Sequence, residues 1–408
     1  MNNDSFFDND QLHLLQHAQN GKIIGEIINQ KVSPDATSTP SFGSVIRYDV
    51  KPSGDDYLDD GDIVVDISDI SGATGGSYDR CVNGVGLWMF KRFELYQKND
   101  LLGTTYPENI HQDIKYYSDS DKYACISTKL GINTTTNRNT LATGAQRFSI
   151  SIKKLFALFQ RPLDRAMIQG NLEIRAYLRD NVRYVIQTDH NTGTPTFSIT
   201  DTYLDLQYIR PKPAIVNANR QLYNENGAIG KPYFNIRHTV VEKAIASSST
   251  SVVLSLPELV DKRVIDILVL LRASALKDTN DASDYTDTYI APTSWALKSG
   301  GKYINYGLQQ DITKSYYDRV ILPRLEMRGW VNLLSGVGSS GNDFVISFAN
   351  DHDVESSEYK RYHGARYFTE KDVQLTVNFS SLAAQTDIVV IIREADRFVI
   401  KNGLIKDL

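Results

Sequence analysis

Three stretches of the chain share one pattern: FSISIKKLF at 148–156, VVLSLPELV at 252–260 and LTVNFSSLA at 375–383. In each, apolar side chains at every second position predict the buried face of a β-strand, and a two-residue break then leads into an apolar pair. The first stretch is followed by LEIRAYL at 172–178, a run that predicts an antiparallel return strand in or across a sandwich. The repetition predicts β-sandwich architecture built more than once.

The length and composition of the chain indicate two domains. The 408 residues, 41% of them hydrophobic, suffice for two sizeable cores, because all-β domains commonly reach ~200 residues. No run approaches the ~18 consecutive apolar residues of a membrane-spanning helix. The N-terminus also lacks the pattern of a secretory signal. We therefore expect a protein that is made and folded in a cytoplasm.

Charge and cysteine content argue against several classes of function. The net charge is −5, and no cluster of Lys and Arg extends beyond scattered pairs such as Lys153-Lys154. A protein that neutralises many phosphates needs a basic face, so we expect no sequence-specific binding of nucleic acid. Cys81 and Cys125 are too few and too far apart for a disulfide framework or a CxxC metal site, and we expect buried thiols.

Alternating runs fall into two series separated by prolines. Pro211 and Pro213 end the first series, because proline cannot donate to a strand ladder. The predicted strands of the first series are 46–50, 63–67, 87–95, 148–152, 172–178, 184–186 and 204–208. Those of the second are 234–241, 252–256, 265–271, 303–308, 344–348, 373–379, 388–392 and 398–400. Each series has about the number of strands that one jelly roll requires.

The predicted fold is therefore all-β, with two tandem eight-stranded antiparallel jelly-roll β-sandwiches and a few short corner helices. The predicted domains are an N-terminal helix (1–21), a first jelly roll (22–213), a connector (214–232) and a second jelly roll (233–408). Long polar segments at 99–122, 128–146, 277–301 and 350–366 interrupt both halves. Loops of this length usually serve recognition or pack against a neighbour.

The N-terminal segment reads as a short amphipathic helix. Ser5 and Asp8 fit a capping pattern, and Phe7, Leu14, Leu15 and Ala18 recur at helical spacing before Gly21. Its first turns are acidic, with Asp4, Asp8 and Asp10, whereas helices that bind anionic membranes usually carry Lys and Arg. We expect this helix to contact protein neighbours or to touch lipid only shallowly.

The order of these elements resembles the double jelly-roll major capsid proteins of icosahedral DNA viruses and phages, many of which have an internal membrane. The resemblance covers roughly residues 40 to 408. Its most telling part is ISIKKLFALF at 150–159 followed by 172–178, which looks like that family's strand, helical corner and return strand. Many members have proline in the corner, where this chain has Lys153-Lys154, although Pro257 occupies the matching place in 252–260.

The resemblance implies a structural protein of the virion. It implies a homotrimer whose six jelly rolls form a pseudo-hexameric capsomer, and capsomers that tile an icosahedral shell assembled in the host cytoplasm. The implied partners are other copies of the chain, neighbouring capsomers, and penton and minor capsid proteins. The N-terminal helix would lie at the base of the capsomer, where an internal membrane is a further implied contact.

The sequence gives little support for a catalytic site or a metal site. His13 and His17 have the i, i+4 spacing of zinc ligands, but the intervening residues lack the catalytic Glu of H-E-x-x-H. The acidic run 55–62 lacks the EF-hand ligand pattern and reads as a charged hairpin turn before a strand. Asp351-His352-Asp353 and His363 fit a contact surface as well as a general base. We expect no catalytic residues, no metal and no cofactor.

A sugar-binding or sugar-cleaving β-sandwich is the alternative from another functional class. Paired carboxylates for glycoside hydrolysis cannot be recognised in a sequence with 49 acidic residues, because their separation depends on the fold. The distinguishing feature is an exposed aromatic platform beside two close carboxylates. Trp88, Trp295 and Trp330 are the candidates, although Trp88 lies in an apolar run that favours the core.

Overall fold

Antiparallel β-sheets make up most of the structure. The computed structural model describes residues 26–35, 39–51, 54, 56–69, 71, 80–81, 84–110, 129–131, 146–160, 162–187, 196–213, 216–217, 220–221, 233–274, 292–304, 310–311, 343–347 and 366–407. Within these residues, no helix has the length and the apolar character that crossing a membrane requires. The predicted N-terminal helix at 1–21 lies outside the described residues.

The first half of the chain forms two main sheets that face each other as the first sandwich. Its strands are β1 (Glu26–Val32), β2 (Val45–Asp49), β3 (Tyr57–Ile67), β4 (Arg80–Cys81), β5 (Phe90–Gln97), β6 (Asp100–Thr105), β7 (Gln146–Ser151), β8 (Leu163–Asp164), β9 (Leu172–Leu178), β10 (Ile186–Gln187) and β11 (Ile199–Arg210). Sheet I has the order β1-β11-β3-β7, with β8 also on β3, and sheet II has the order β2-β9-β5-β6. Strands β4 and β10 form a separate pair.

Short helices connect these strands at the ends of the sheets. They are α1 (Val85–Trp88), α2 (Ile152–Leu155) and 3-10 turns at Ala157–Gln160, Arg165–Met167 and Val182–Val185. Helix α2 is the corner that the sequence predicts after 148–152. The return strand β9 lies in sheet II while β7 lies in sheet I, so the chain crosses the sandwich at this corner.

The second half forms the second sandwich in the same way. Its strands are β12 (Tyr233–Ile245), β13 (Ser251–Ser255), β14 (Arg263–Ala273), β15 (Pro292–Ser299), β16 (Lys302–Tyr303), β17 (Gln310–Asp311), β18 (Asp343–Ser347), β19 (Arg366–Tyr367), β20 (Val373–Phe379), β21 (Thr386–Lys401) and β22 (Leu404–Asp407), with a 3-10 turn at Pro257–Leu259. Sheet III has the order β12-β21-β14-β18, with β19 on β14 and β22 on β21. Sheet IV has the order β13-β20-β15-β16, with β17 on β15.

The two sandwiches repeat one topology. Sheet I and sheet III each place the first strand of the half beside its last long strand, β11 or β21, and then its third strand, and each adds one short strand to that third strand. The three similar stretches of sequence do not mark this repeat. The first stretch contains β7, whose counterpart is β18, whereas the other two contain β13 and β20, which pair with each other. Their pattern marks a strand that ends in an anchored corner, and such corners recur at several positions of the fold.

Two separate cores confirm the predicted alternation. In the first sandwich, Ile150 is 2% exposed, and Ile152, Leu172 and Ile174 are fully buried. In the second, Val377 is fully buried and Phe379 is 4% exposed. The corner anchors Leu155, Phe156, Leu259 and Leu382 are also buried. The chain is therefore the all-β, two-sandwich protein that its sequence predicts.

Several predicted strands have other bounds in the structure. The run 87–95 is divided between α1 and β5, and the run 184–186 lies mostly in a 3-10 turn. Strand β16 ends at Tyr303, and the remainder of the predicted strand 303–308 is outside the described residues beyond Ile304. The runs 388–392 and 398–400 belong to one strand, β21, because the polar residues between them continue the ladder with β12.

Other strands lie where the sequence predicted none. Strand β6 falls in the polar segment 99–122, and β15 falls in the segment 277–301. Strand β1 precedes the first predicted run, and β22 follows the last. The prediction of a charged hairpin turn at 55–62 is also wrong, because β3 starts at Tyr57 and contains most of this acidic run.

Candidate functional site at the junction of the two sandwiches

The acidic residues of β3 have basic partners. Lys153 Nζ lies 3.4 Å from Asp60, and Lys129 Nζ lies 3.1 Å from Asp62. Asp56, just before β3, accepts a hydrogen bond of 3.0 Å from Arg210. The carboxylates do not converge on a point, and the described part of the chain has no cluster of metal-ligating side chains. The run is therefore part of a charged sheet surface.

The candidate residues of the alternative functions are not assembled into a site. Trp88 is fully buried and Trp295 is 1% exposed, so neither belongs to an exposed sugar-binding platform. Cys81 is buried as predicted, and burial raises the pKa of its thiol to about 12. The described ranges do not include the remaining candidates, which are His13, His17, Cys125, Trp330, Asp351-His352-Asp353 and His363.

The surface between the two sandwiches has the most specific chemistry among the described residues. The outer face of sheet III, turned away from the core of the second sandwich, carries a small apolar cluster of Leu268, Leu270, Val389 and Ile391, with Val240 beside it. His238 lies on the same face, two residues before Val240, and its Nδ1 donates to the carbonyl of Thr104 at 3.0 Å. Thr104 lies on β6, so this face of the second sandwich meets the edge of sheet II.

A buried ion cluster joins the two sandwiches at this surface. Glu108, in the helical turn just after β6, lies 3.3 Å from Arg272 of β14 and 3.5 Å from Arg179 at the end of β9. The guanidinium of Arg272 also lies 5.8 Å from the centre of the Trp88 ring. Burial alone would raise the pKa of Glu108, but the two guanidinium groups outweigh it, and the pKa is lowered. Glu108 is therefore an anion that both halves of the chain hold.

The carboxyl end of the chain forms a second connection. Strand β21 runs beyond the second sandwich, and its Ile400 is fully buried in the core of the first. The chain then turns through Asn402 and Gly403, both with positive φ, into β22. Asn-Gly is the pair that a two-residue type I′ hairpin turn favours. We call residues 396–407 the carboxyl hairpin.

The turn of the carboxyl hairpin fits into a polar socket of the first sandwich. The carbonyl of Gly403 accepts hydrogen bonds from the side-chain amide of Gln97 at 2.7 Å and from the backbone N–H of Gln169 at 2.8 Å. The side-chain oxygen of Gln97 in turn accepts from the N–H of Ile405 at 2.8 Å. Gln97 is 3% exposed, and a buried amide requires hydrogen-bond partners. The hairpin supplies a partner for both the nitrogen and the oxygen of this amide.

Arg165 supports this socket from inside the first sandwich. Its guanidinium is buried and donates to the carbonyls of Val50 at 2.6 Å, Ile168 at 2.8 Å and Gly170 at 2.6 Å. Burial lowers the pKa of Arg165, because desolvation penalises the charged form. The bonds fix the backbone on both sides of Gln169, which meets the hairpin.

The sequence reasoning missed the residues of this junction. Asn402-Gly403 stands between two short apolar runs, and this signal is sufficient to predict the carboxyl hairpin. Glu108, Arg272 and Gln97 have no comparable signal. They are single polar residues in ordinary strands and turns, and only the packing of the two sandwiches brings them together.

Solved structures with the same arrangement share little sequence with the chain. The Faustovirus major capsid protein is 11% identical, with a TM-score of 0.65 over 97% of this chain and 98% of its own. VP54 of PBCV-1, fitted into a reconstruction of the virophage Sputnik, is 13% identical, with a TM-score of 0.64 over 94% of this chain and 96% of its own. The chain has the double jelly-roll fold.

The similarity includes both jelly rolls and so includes their junction. A structure of the Sputnik virophage matches with 12% identity and a TM-score of 0.60, over 94% of this chain and 88% of that one. No protein-family model matches the sequence. No curated protein matches it significantly either. The double jelly-roll fold therefore rests on the backbone, and the identity of single residues adds nothing to it.

Proposed function

We propose that this protein is the major structural protein of an icosahedral viral capsid. In this proposal three copies form a capsomer with six jelly rolls, and capsomers tile a shell, so that the protein's place is the virion. Its role is architectural and needs neither catalysis nor a cofactor. Its partners are other copies of itself, neighbouring capsomers, and penton and minor capsid proteins, with an internal membrane as a further contact of the N-terminal segment.

The observation that carries the proposal is the double jelly-roll backbone over nearly the whole chain. The solved structures that it matches include a model of the PBCV-1 virus capsid and the Faustovirus major capsid protein, and these matches cover 94–97% of this chain. The junction supports it as well. A shell subunit needs a fixed angle between its two sandwiches, and the ion cluster and the carboxyl hairpin hold that angle through buried contacts.

The native mass of the purified protein tests the oligomer. Sedimentation or light scattering at micromolar concentration should give three times the chain mass of 45.9 kDa. Electron microscopy of the same material under assembly conditions should show hexagonal capsomers or closed particles. A monomer that binds immobilised polysaccharide would instead support the sugar-binding alternative, which the burial of Trp88 and Trp295 disfavours.

The domain bounds are part of the same proposal. We place the first jelly roll at 22–213 and the second at 233–408, with a connector between them. Limited proteolysis should cut first within 214–232 or in the loops. Because the carboxyl hairpin is held in the first jelly roll, the two halves should stay associated after that cut until a denaturant is added.

A further inference from the structure

The first sandwich contacts the turn of the carboxyl hairpin in the way that a protein contacts a bound peptide. Strand β22 pairs with β21, and within the described residues no ladder joins either strand to the first sandwich. The contact instead consists of the buried side chain of Ile400, the partly buried side chain of Ile405 and the hydrogen bonds of the turn. An apolar surface with a few placed polar groups is typical of a ligand site.

The polar groups of the socket are held in place by the first sandwich itself. The side-chain nitrogen of Gln97, which donates to the hairpin, also donates to the carbonyl of Gln169 at 3.0 Å. Arg165 in turn fixes the backbone carbonyls on both sides of Gln169. None of these supporting bonds involves the hairpin. The socket is therefore preorganised, and a preorganised site loses less entropy when its ligand binds.

The shape of the socket selects one kind of turn. Asn402 has φ +53° and Gly403 has φ +74°, which is the backbone of a turn that Asn-Gly favours. A Cβ atom at position 403 would lie 2.3 Å from Cγ of Gln169, so this position must be glycine. The amide of Gln97 reads the carbonyl of Gly403 and the N–H of Ile405, two residues further along.

Two aliphatic side chains on either side of the turn supply the apolar part of the contact. Ile400 and Ile405 lie directly opposite each other in the hairpin, and both pack against the core of the first sandwich. Lys401, between Ile400 and the turn, is exposed. The segment IKNGLI at 400–405 therefore has an aliphatic residue at each end, an Asn-Gly turn in the middle and one solvent-facing position that the socket does not read.

We propose that the socket is a peptide-binding site whose ligand is a short β-hairpin with an Asn-Gly turn between two aliphatic residues. The chain's own carboxyl hairpin occupies the site as an intramolecular ligand. A tethered ligand of this kind has an effective concentration of about a millimolar, so it excludes a separate hairpin peptide at lower concentrations. When the chain's own hairpin is displaced, the same site binds a hairpin that another polypeptide supplies.

Binding of a synthetic peptide to the full-length protein tests the proposal. The receptor is the double variant Ile400→Asp/Gly403→Ala, because a charge at the buried anchor and a Cβ atom in the turn displace the chain's own hairpin and leave the socket residues unchanged. The probe is a fluorescein-labelled peptide of residues 396–407, titrated to ~1 mM. Fluorescence anisotropy should show saturable binding to the double variant that is at least about tenfold tighter than to the parent, whose socket is filled.

Changes in the peptide test whether the socket reads the turn and the anchor. A peptide with Gly403→Ala should bind the double variant at least about tenfold more weakly, and so should a peptide with Ile400→Asp. A peptide with Lys401→Ala is the matched control and should bind like the parent peptide, because this side chain is exposed. Equal binding of all four peptides would indicate a non-specific apolar attraction and would overturn the assignment.

A milder receptor keeps the proposal testable if the double variant is insoluble. Full-length Ile400→Ala shortens the anchor and leaves the turn intact, and excess parent peptide should raise its midpoint of thermal unfolding while leaving that of the parent protein unchanged. If the peptide neither binds the double variant nor stabilises Ile400→Ala, the socket is not a separable site and the inference is wrong.

The result is independent of the proposed function, because the socket and its ligand lie within one chain. A native mass that shows a monomer would contradict the proposed trimer and leave peptide binding as it is. A trimer whose displaced-hairpin variants ignore the peptide would contradict this inference alone.

Discussion

At the scale of single residues, the structure depends on a few buried charges with fixed partners. Arg165 is 2% exposed and donates to three backbone carbonyls, which no other residue type can do with one rigid side chain. Glu108 is shared by an arginine of each sandwich. Removing either side chain leaves its partners without compensation in a poorly solvated place.

We predict that Arg165→Met destabilises the protein by about 2–4 kcal/mol, because three buried carbonyls lose their donor. Arg165→Lys should recover only part of this, since an ammonium group cannot reach three diverging acceptors. The free energy of unfolding in denaturant measures both. Arg47→Lys, an exposed change on β2, is the control and should stay within about 0.5 kcal/mol of the parent. Equal stability of the two Arg165 variants would contradict this account.

The Glu108 cluster should make the junction sensitive to acid. The folded-state pKa of Glu108 is lowered, so its contribution to stability is complete above the ordinary value of 4.5 and is lost as the pH falls through the folded-state pKa. Glu108→Gln should cost about 3–5 kcal/mol at neutral pH, because two buried guanidinium groups lose their counter-charge. It should also lose less stability than the parent on acidification below pH 4.5.

Urea unfolding at several pH values measures this difference. Glu258→Gln, which removes an exposed carboxylate from the 3-10 turn after β13, is the matched control and should follow the parent at every pH. If Glu108→Gln and the parent lose stability in parallel below neutral pH, other carboxylates are responsible for the acid sensitivity.

At the scale of elements, the carboxyl hairpin is the feature that connects the cores. Gly403 has φ +74°, and a Cβ atom there would lie 2.3 Å from Cγ of Gln169. Gly301 has the same φ of +74°, but nothing lies within 4 Å of its Cβ position. Both glycines therefore need a positive φ, but only at Gly403 would an added Cβ atom collide with a neighbouring side chain.

We predict that Gly301→Ala costs about 1–2 kcal/mol, the strain of the left-handed region. Gly403→Ala should cost more, because it also forces the turn out of its socket. Hydrogen exchange should then show faster exchange at Gln169 and Ile405 in Gly403→Ala, and not in Gly301→Ala. Similar exchange at these amides in both variants would mean that the socket does not hold the hairpin.

A strand could be predicted from the sequence most easily when only one of its two faces is buried. Strands β9 and β20 bury one face, and their strict alternation was sufficient to predict them. Strand β14 is apolar on both faces because one faces its own core and the other faces the junction. Strand β3 is acidic on its outer face, since the ion partners come from distant segments, and composition alone made it look like a turn.

At the scale of the whole molecule, the alternation of apolar residues was sufficient to predict the fold. It was not sufficient to predict how the two sandwiches contact each other. Alternation reports whether a side chain is buried, and it does so for each strand separately. It does not report which buried polar residue meets which, and so Glu108 and Arg272, 164 positions apart, had no common signal. The repeat of topology likewise became visible only from strand order.

The N-terminal segment gives a prediction about the assembled particle. Residues 1–20 precede β1 in the sequence. Deleting residues 1–20 should leave folding and the trimer intact, while impairing assembly of the shell, because neighbouring capsomers or lipid are its expected contacts. Native mass and particle yield by electron microscopy measure the two effects. Normal particles from the shortened chain, or loss of the trimer, would show that the segment has another role.

The carboxyl hairpin also has a consequence for the order of events during synthesis. The described strands of the first sandwich have all been made once Arg210 has left the ribosome, but its core lacks Ile400 and its socket stays empty until the carboxyl hairpin emerges. At ~5–20 residues per second this interval is roughly 10–40 s. Throughout that time Gln97 and the backbone N–H of Gln169 lack the hydrogen bonds that the hairpin supplies. The first sandwich of a nascent chain therefore cannot be complete before the carboxyl hairpin has been synthesised.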